Sequence, residues 1–220
     1  MWHLKKCFVP LVCCLLFLTP AHALTVSELQ ERMREANSSI SSIRFNYVQE
    51  MTSELSREAR KSSGKAYVKK PRNLRIEQKE PEDQLVVTSG KNVFVYTPRF
   101  NQVLKDSWKR WFSKNSFFPG LVGFDETMSK LKKQYEWKIM GASEINGEQT
   151  VNVHLRNSAG QDDQLNLWLG ASDFIPRKTE AISGTLKVTT TLISIVYNLD
   201  LDSRLFDFQK PPKAEVIQIP

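Results

Sequence analysis

Cysteine and histidine are nearly missing from this chain. Its three cysteines, Cys7, Cys13 and Cys14, all fall within the first 23 residues, and of its three histidines only His154 lies beyond them. With that leader removed, no disulfide, thiolate nucleophile or cysteine metal ligand remains. Zinc sites of the usual composition are excluded, and a hydrolytic triad has a single candidate base. No phosphate-cradling glycine loop, nucleotide fingerprint or serine elbow is present either. Carboxylate pairs occur at Glu82/Asp83 and Asp162/Asp163, within "KEPEDQ" and "AGQDDQ", where acidic residues form ordinary hydrophilic turns. In "TVNVHLRNS" His154 alternates with valine and leucine, the pattern of a surface or rim strand histidine. The expectation is a protein that is not an enzyme and uses no cofactor or metal.

The leader itself is informative. "MWHLKKCFVPLVCCLLFLTPAHA" places Lys5 and Lys6 ahead of an apolar run from Cys7 to Leu18, then Ala21 and Ala23 around His22. That is a secretory signal peptide over 1–23, cut after Ala23, and the run is too short to span a bilayer comfortably. Residues 24–220 then form one domain, large enough to bury its own core without disulfide staples. Cleavage takes two lysines with it and leaves 29 basic against 24 acidic residues, scattered through strands and loops. Export and the lack of a basic arm exclude nucleic acid as a partner. No heptad or covalent anchor points to an obligate oligomer, so a soluble monomer is expected.

In "TVSELQERMREANSSI" Thr25 or Ser27 can cap a helix in which Val26, Leu29, Met33 and Ala36 recur at helical spacing, which predicts a helix over 26–37. From Ile43 the period changes to two, with Ile43, Phe45, Tyr47, Gln49 and Met51 on one face. Further strands are predicted over 58–69, 72–79, 84–89, 92–97, 101–105, 135–142, 149–156, 163–169, 176–182 and 185–197, with "NGE" at 146–148 as a hairpin turn. Short strands joined by tight turns predict an antiparallel sheet, and a sheet this wide is expected to curl.

The pattern breaks at "DSWKRWFSKNSFFPGLVGFDETMSKLKKQ", residues 106–134. Trp108, Trp111, Phe112, Phe117, Phe118, Leu121 and Phe124 crowd together there, before a short helix expected over 125–133. Such an insertion is either a core plug or a movable cover, with Gly120 and Gly123 as candidate hinges. A greasy interior without precisely placed polar groups suits a ligand held by apolar contact, since each buried methylene contributes about 0.8 kcal/mol.

In order and spacing, four stretches resemble the periplasmic outer-membrane lipoprotein carrier proteins of Gram-negative bacteria, the LolA family. They are "SSIRFNYVQE" (41–50), "GKAYVKKPRNLRIEQKEPEDQLVVTSGKNVFVYTPRFNQV" (64–103), "LWLGASDFIPRK" (167–178) and "FDFQKPPKAEVI" (206–217). The resemblance implies a mainly β protein with covering helices: an incomplete, strongly curved antiparallel barrel around an apolar cavity. It implies acylated lipoproteins as clients, an inner-membrane exporter complex and an outer-membrane acceptor as partners, and no covalent chemistry. Phe45, Tyr47, Leu74, Ile76, Val87 and Val95 become the expected cavity wall. The family's lid arginine, before the proline of the central motif, is replaced here by Lys70, with Arg72 two residues on as a second candidate latch. Lysine offers a flexible point charge in place of a rigid fork. The alternative is an exported protein that binds, transfers or senses a free amphiphile.

Overall fold

The computed structural model describes residues 23–114 and 124–219. Residues 1–22 of the leader lie outside them, as do Phe117, Phe118, Leu121 and the two candidate hinge glycines.

Helix α1 (Val26–Ser38) starts on the capping box the sequence offers: the Glu28 amide donates to Thr25 Oγ1 at 3.2 Å, and the Thr25 amide to Glu28 Oε2 at 2.8 Å. Leu29 and Met33 form its buried stripe. The chain then enters six strands, β1 (Ser42–Ser53), β2 (Ser56–Lys69), β3 (Asn73–Glu80), β4 (Gln84–Thr88), β5 (Asn92–Thr97) and β6 (Gln102–Ser107). Helix α2 (Trp108–Lys114) follows directly, a helix inside the stretch read as an irregular cover, and α3 (Phe124–Gln134) comes next. Strands β7 (Tyr135–Ile145), β8 (Glu148–Asn157), β9 (Gln164–Gly170), β10 (Pro176–Ser183) and β11 (Leu186–Tyr197) complete the second block, and a short β12 (Glu215–Gln218) ends it. The β7–β8 hairpin turns through Asn146 and Gly147, both at positive φ (51° and 81°), as its two-residue loop requires.

The twelve strands of the described residues join one sheet in the order β12-β6-β5-β4-β3-β2-β1-β11-β10-β9-β8-β7. Two expectations are corrected here. The sheet is open, with β12 and β7 as separate edges, and it is not strongly curled, so the incomplete, strongly curved barrel is not what the chain forms. It is also mixed, because β12 pairs parallel with β6, Glu215 opposite Gln102. Both departures share a physical cause. A sheet curls to bury an apolar face against itself, and here helices cover one face while the segment after β11 covers part of the other.

One face carries the helices and divides into two apolar clusters. The first gathers β1–β5 and β11 under α2 around Phe45, Leu74, Ile76 and Trp108. The second packs α1 and α3 on β8 and β9 through Leu29, Met33, Met128, Leu131, Val153 and Leu167. The other face is crossed by the segment after β11. Lys69 Nζ donates to the Leu201 carbonyl at 2.6 Å, and Phe208 stacks on Phe94 with ring centroids 4.7 Å apart. That return path brings β12 alongside β6, a long connection of the kind parallel pairing needs.

Candidate functional site

The helix-covered face of β1–β5 is the candidate site. Strand parity fixes which side chains reach it. Ile76 lies opposite Ala66 and Val86, and Val86 opposite Val95, so all four share a face. Of the expected wall, Phe45, Tyr47, Leu74 and Ile76 are buried in this cluster, and Val95 packs against it. Val87 is placed elsewhere: its ladder partners are Arg75 and Phe94, so it points to the face covered by the C-terminal segment. Its neighbour Val86 takes the inward position. The run "QLVVT" is apolar on both faces because both are covered, so alternation gave no parity signal there.

The aromatic segment splits. Trp108 and Trp111, 5% and 7% exposed, lie in the same cluster as Phe45 and Leu74, and Phe112 packs against it. The Trp108 ring sits 6.1 Å from Trp111 and 5.0 Å from Phe112. Phe124 instead opens α3 and is buried in the second cluster with Met128 and Leu131. The Trp108 indole N–H is buried without a hydrogen-bond partner among the described residues. Tyr47 reaches into the same interior, and burial pushes its phenol up to about 12.

Two basic residues flank Pro71, and each holds a different helix. Lys70 Nζ donates to the Asn37 carbonyl in the last turn of α1. Burial pushes its ammonium below the usual lysine range, against the attraction of Asp125. Arg72 Nη2 meets Glu126 Oε1, in the first turn of α3, at 2.8 Å, with both side chains about half exposed. Asn37, Ile43, Val68, Lys70 and Ile175 line a void of about 10 Å³ between α1 and the sheet.

A polar network that sequence reasoning missed lies beside the C-terminal half of α1. Arg177, nearly buried, donates from Nη2 to Asp173 at 2.9 Å, from Nε to Glu148 and from Nη1 to the Ile175 carbonyl at 3.0 Å. Tyr197 donates its hydroxyl to Asp173 at 2.9 Å. Burial opposes ionisation of Asp173, yet the Arg177 and Ile175 hydrogen bonds and the guanidinium charge hold its carboxyl below the usual range. Burial works against the Arg177 charge too, but Asp173 and Glu148 raise its pKa above the ordinary arginine value. Gly170 makes room: a Cβ there would lie 2.6 Å from Asp173 Oδ1 and 2.8 Å from Arg177 Nη2. The signal available was the arginine of "DFIPRK", preceded by three apolar residues and four positions after an aspartate.

His154 Nδ1 lies 2.7 Å from Asn166 Oδ1, and Asn166 in turn donates to Glu180 at 3.0 Å, which is a strand-face network with no nucleophile in it. Asp83 pairs with Lys79 at 3.1 Å, and Asp163 accepts from Ser183 at 2.6 Å. Among the described residues no three or more His, Cys, Asp or Glu side chains are grouped to hold a metal ion, and no helix is long and apolar enough to cross a membrane.

Comparison with known proteins matches this architecture. A protein from Azotobacter vinelandii named outer-membrane lipoprotein carrier protein is 27% identical over 158 residues, 71% of this chain and 72% of the relative. One of the same name from Legionella pneumophila (strain Corby) is 26% identical over 184 residues, 80% and 86% of the two chains. The crystal structure of an uncharacterized conserved protein from Thermus thermophilus has the same fold, with TM-score 0.58 and 13% identity over 88% of this chain and 98% of that one. The family model described as outer membrane lipoprotein carrier protein LolA matches residues 38–209, so the chain belongs to that family and is a periplasmic, non-catalytic carrier of lipoproteins or lipids.

Proposed function

We propose that this protein receives lipoproteins from an inner-membrane exporter complex, shields their acyl chains between the sheet and its helices, and passes them to an outer-membrane acceptor. The observation that carries the reading is the apolar cluster in which Phe45, Tyr47, Leu74 and Ile76 lie directly beneath Trp108 and Trp111. It is sheet on one side and helix on the other, so helices can separate from it without breaking strand pairing. A dozen buried methylenes gain on the order of 10 kcal/mol, against which the contacts between α2, α1 and the sheet must be given up. Cargo is therefore bound firmly yet released when an acceptor competes, with no bond made or broken. The basic pair acts as latch, Lys70 on α1 and Arg72 on α3.

The test is release from membranes. Mature protein added to spheroplasts of its own host should appear in the supernatant in one-to-one complexes with acylated lipoproteins. A supernatant free of lipoproteins, with the protein carrying phospholipid instead, would replace this reading by transfer of a free amphiphile.

A further inference from the structure

Beyond the apolar interior lies a second space, lined by polar and apolar side chains together. A cleft of about 530 Å³ opens between α1 and the sheet end formed by the β9–β10 turn and the last residues of β11. One wall is Arg32 and Glu35 of α1 with its C-cap Ser39; the other is Ser172–Ile175, with Tyr197 and Asn198 completing the lining. Ile40 and Ile175 line both this cleft and the small void beside Lys70, and Ile175 belongs to the first apolar cluster. The cleft with its charged and polar side chains and the greasy interior thus meet at that pair of isoleucines, as the two halves of an amphiphile require.

The charges of the cleft select what its polar half can be. Arg32 lies over the Phe174 ring at 5.3 Å, and neither its guanidinium, the Glu35 carboxylate nor the Ser172 hydroxyl has a hydrogen-bond partner among the described residues. Arg177, behind the floor, is already committed to Asp173 and Glu148. A phosphodiester would therefore meet one available cation with the Glu35 carboxylate one helical turn away from it, a poor match for an anion. An uncharged group with several carbonyl oxygens and an amide N–H finds donors in Arg32 and Ser172 and an acceptor in Glu35. We propose that this cleft holds the uncharged ester-and-amide head through which acyl chains join a polypeptide, while the chains pass between Ile40 and Ile175 into the interior. The cleft then distinguishes an acylated protein from a phospholipid with equal chains. This rests on the carrier reading above and adds the recognition of the head.

The experiment compares three probes on the mature chain by competition with a fluorescent fatty acid: a synthetic N-acyl, S-diacylglyceryl cysteine peptide, palmitate, and phosphatidylglycerol. The R32A/E35A double variant removes two exposed side chains and leaves the packed face of α1 intact, with Ser172→Trp as an independent obstruction of the cleft. Each variant should weaken the acylated peptide about tenfold and leave palmitate within about twofold of wild type, since one or two hydrogen bonds to charged groups are lost. Equal affinity of wild type and variants for the acylated peptide overturns the proposal. So does an equal loss for peptide and palmitate, or a wild-type preference for phosphatidylglycerol. If wild type binds neither peptide nor palmitate, the carrier reading fails and the head site fails with it.

Discussion

Replacing Lys70 by leucine tests how α1 is fastened. Its ammonium reaches the Asn37 carbonyl at the end of the helix and so ties the central motif to α1. A hydrogen bond from a charged donor contributes about 1.5–3 kcal/mol when buried, and the partial solvent exposure of Lys70 screens it. A net of about 1 kcal/mol remains, which is about fivefold in the ratio of fastened to released helix. On the proposed mechanism cargo enters only with the helix released, so Lys70→Leu should bind acylated peptide about fivefold more tightly and unload it correspondingly more slowly. Stopped-flow tryptophan fluorescence reads both, with Trp137 and Trp168 changed to Phe so that Trp108 and Trp111 report from the first cluster. Unchanged affinity and unchanged unloading in Lys70→Leu would refute a latch and leave Lys70 an ordinary partly buried charge.

Other perturbations follow from the same geometry. Leu74, 1% exposed, should cost about 3 kcal/mol on Leu74→Ala, and saturating acylated peptide should recover part of that in thermal melts because an acyl chain refills the space; a fixed core would show no extra recovery. Arg177→Met leaves Asp173 partly buried without its partner and should lower stability by about 2–4 kcal/mol in urea melts, whereas a loss under about 0.5 kcal/mol would contradict the network. Asp173 has a folded pKa depressed below its ordinary 3.8, so its contribution is fully present above that value and is lost as pH falls through the lowered folded one. Wild type should therefore lose more stability than Asp173→Asn on acidification below about pH 4; parallel pH profiles would remove Asp173 from the account.

Sequence made the elements legible where one face is apolar and the other wet. The Thr25 cap and the Leu29/Met33 stripe give α1, and period-two alternation gives β1 with Phe45 and Tyr47 inward. Legibility failed where burial is not one-sided. Val86 and Val87 both lie in covered faces, so neither residue type nor spacing says which one turns toward the helices. Curvature was misread for the same reason, since the cover supplied by residues beyond β11 has no periodicity of its own to announce it. Strand β12 is four residues long with no buried side chain, and its parallel pairing depends on where the chain has been carried. Trp108, Trp111 and Phe112 stand out as one group, but their helix does not, because seven residues are too few for a helical period to show.

Location of the acyl chain is the most direct measurement. Mature protein with labelled methyl groups is saturated with an acylated peptide bearing a nitroxide near the chain terminus, and paramagnetic broadening is read by NMR. Sequestration under the helices predicts strong broadening of Leu74, Ile76, Val86 and Leu192 methyls, which share the first cluster, with Val87 and Val103 sharp on the opposite face. Broadening of Val87 and Val103 while Ile76 and Val86 stay sharp would place the chain on the other face and contradict the account.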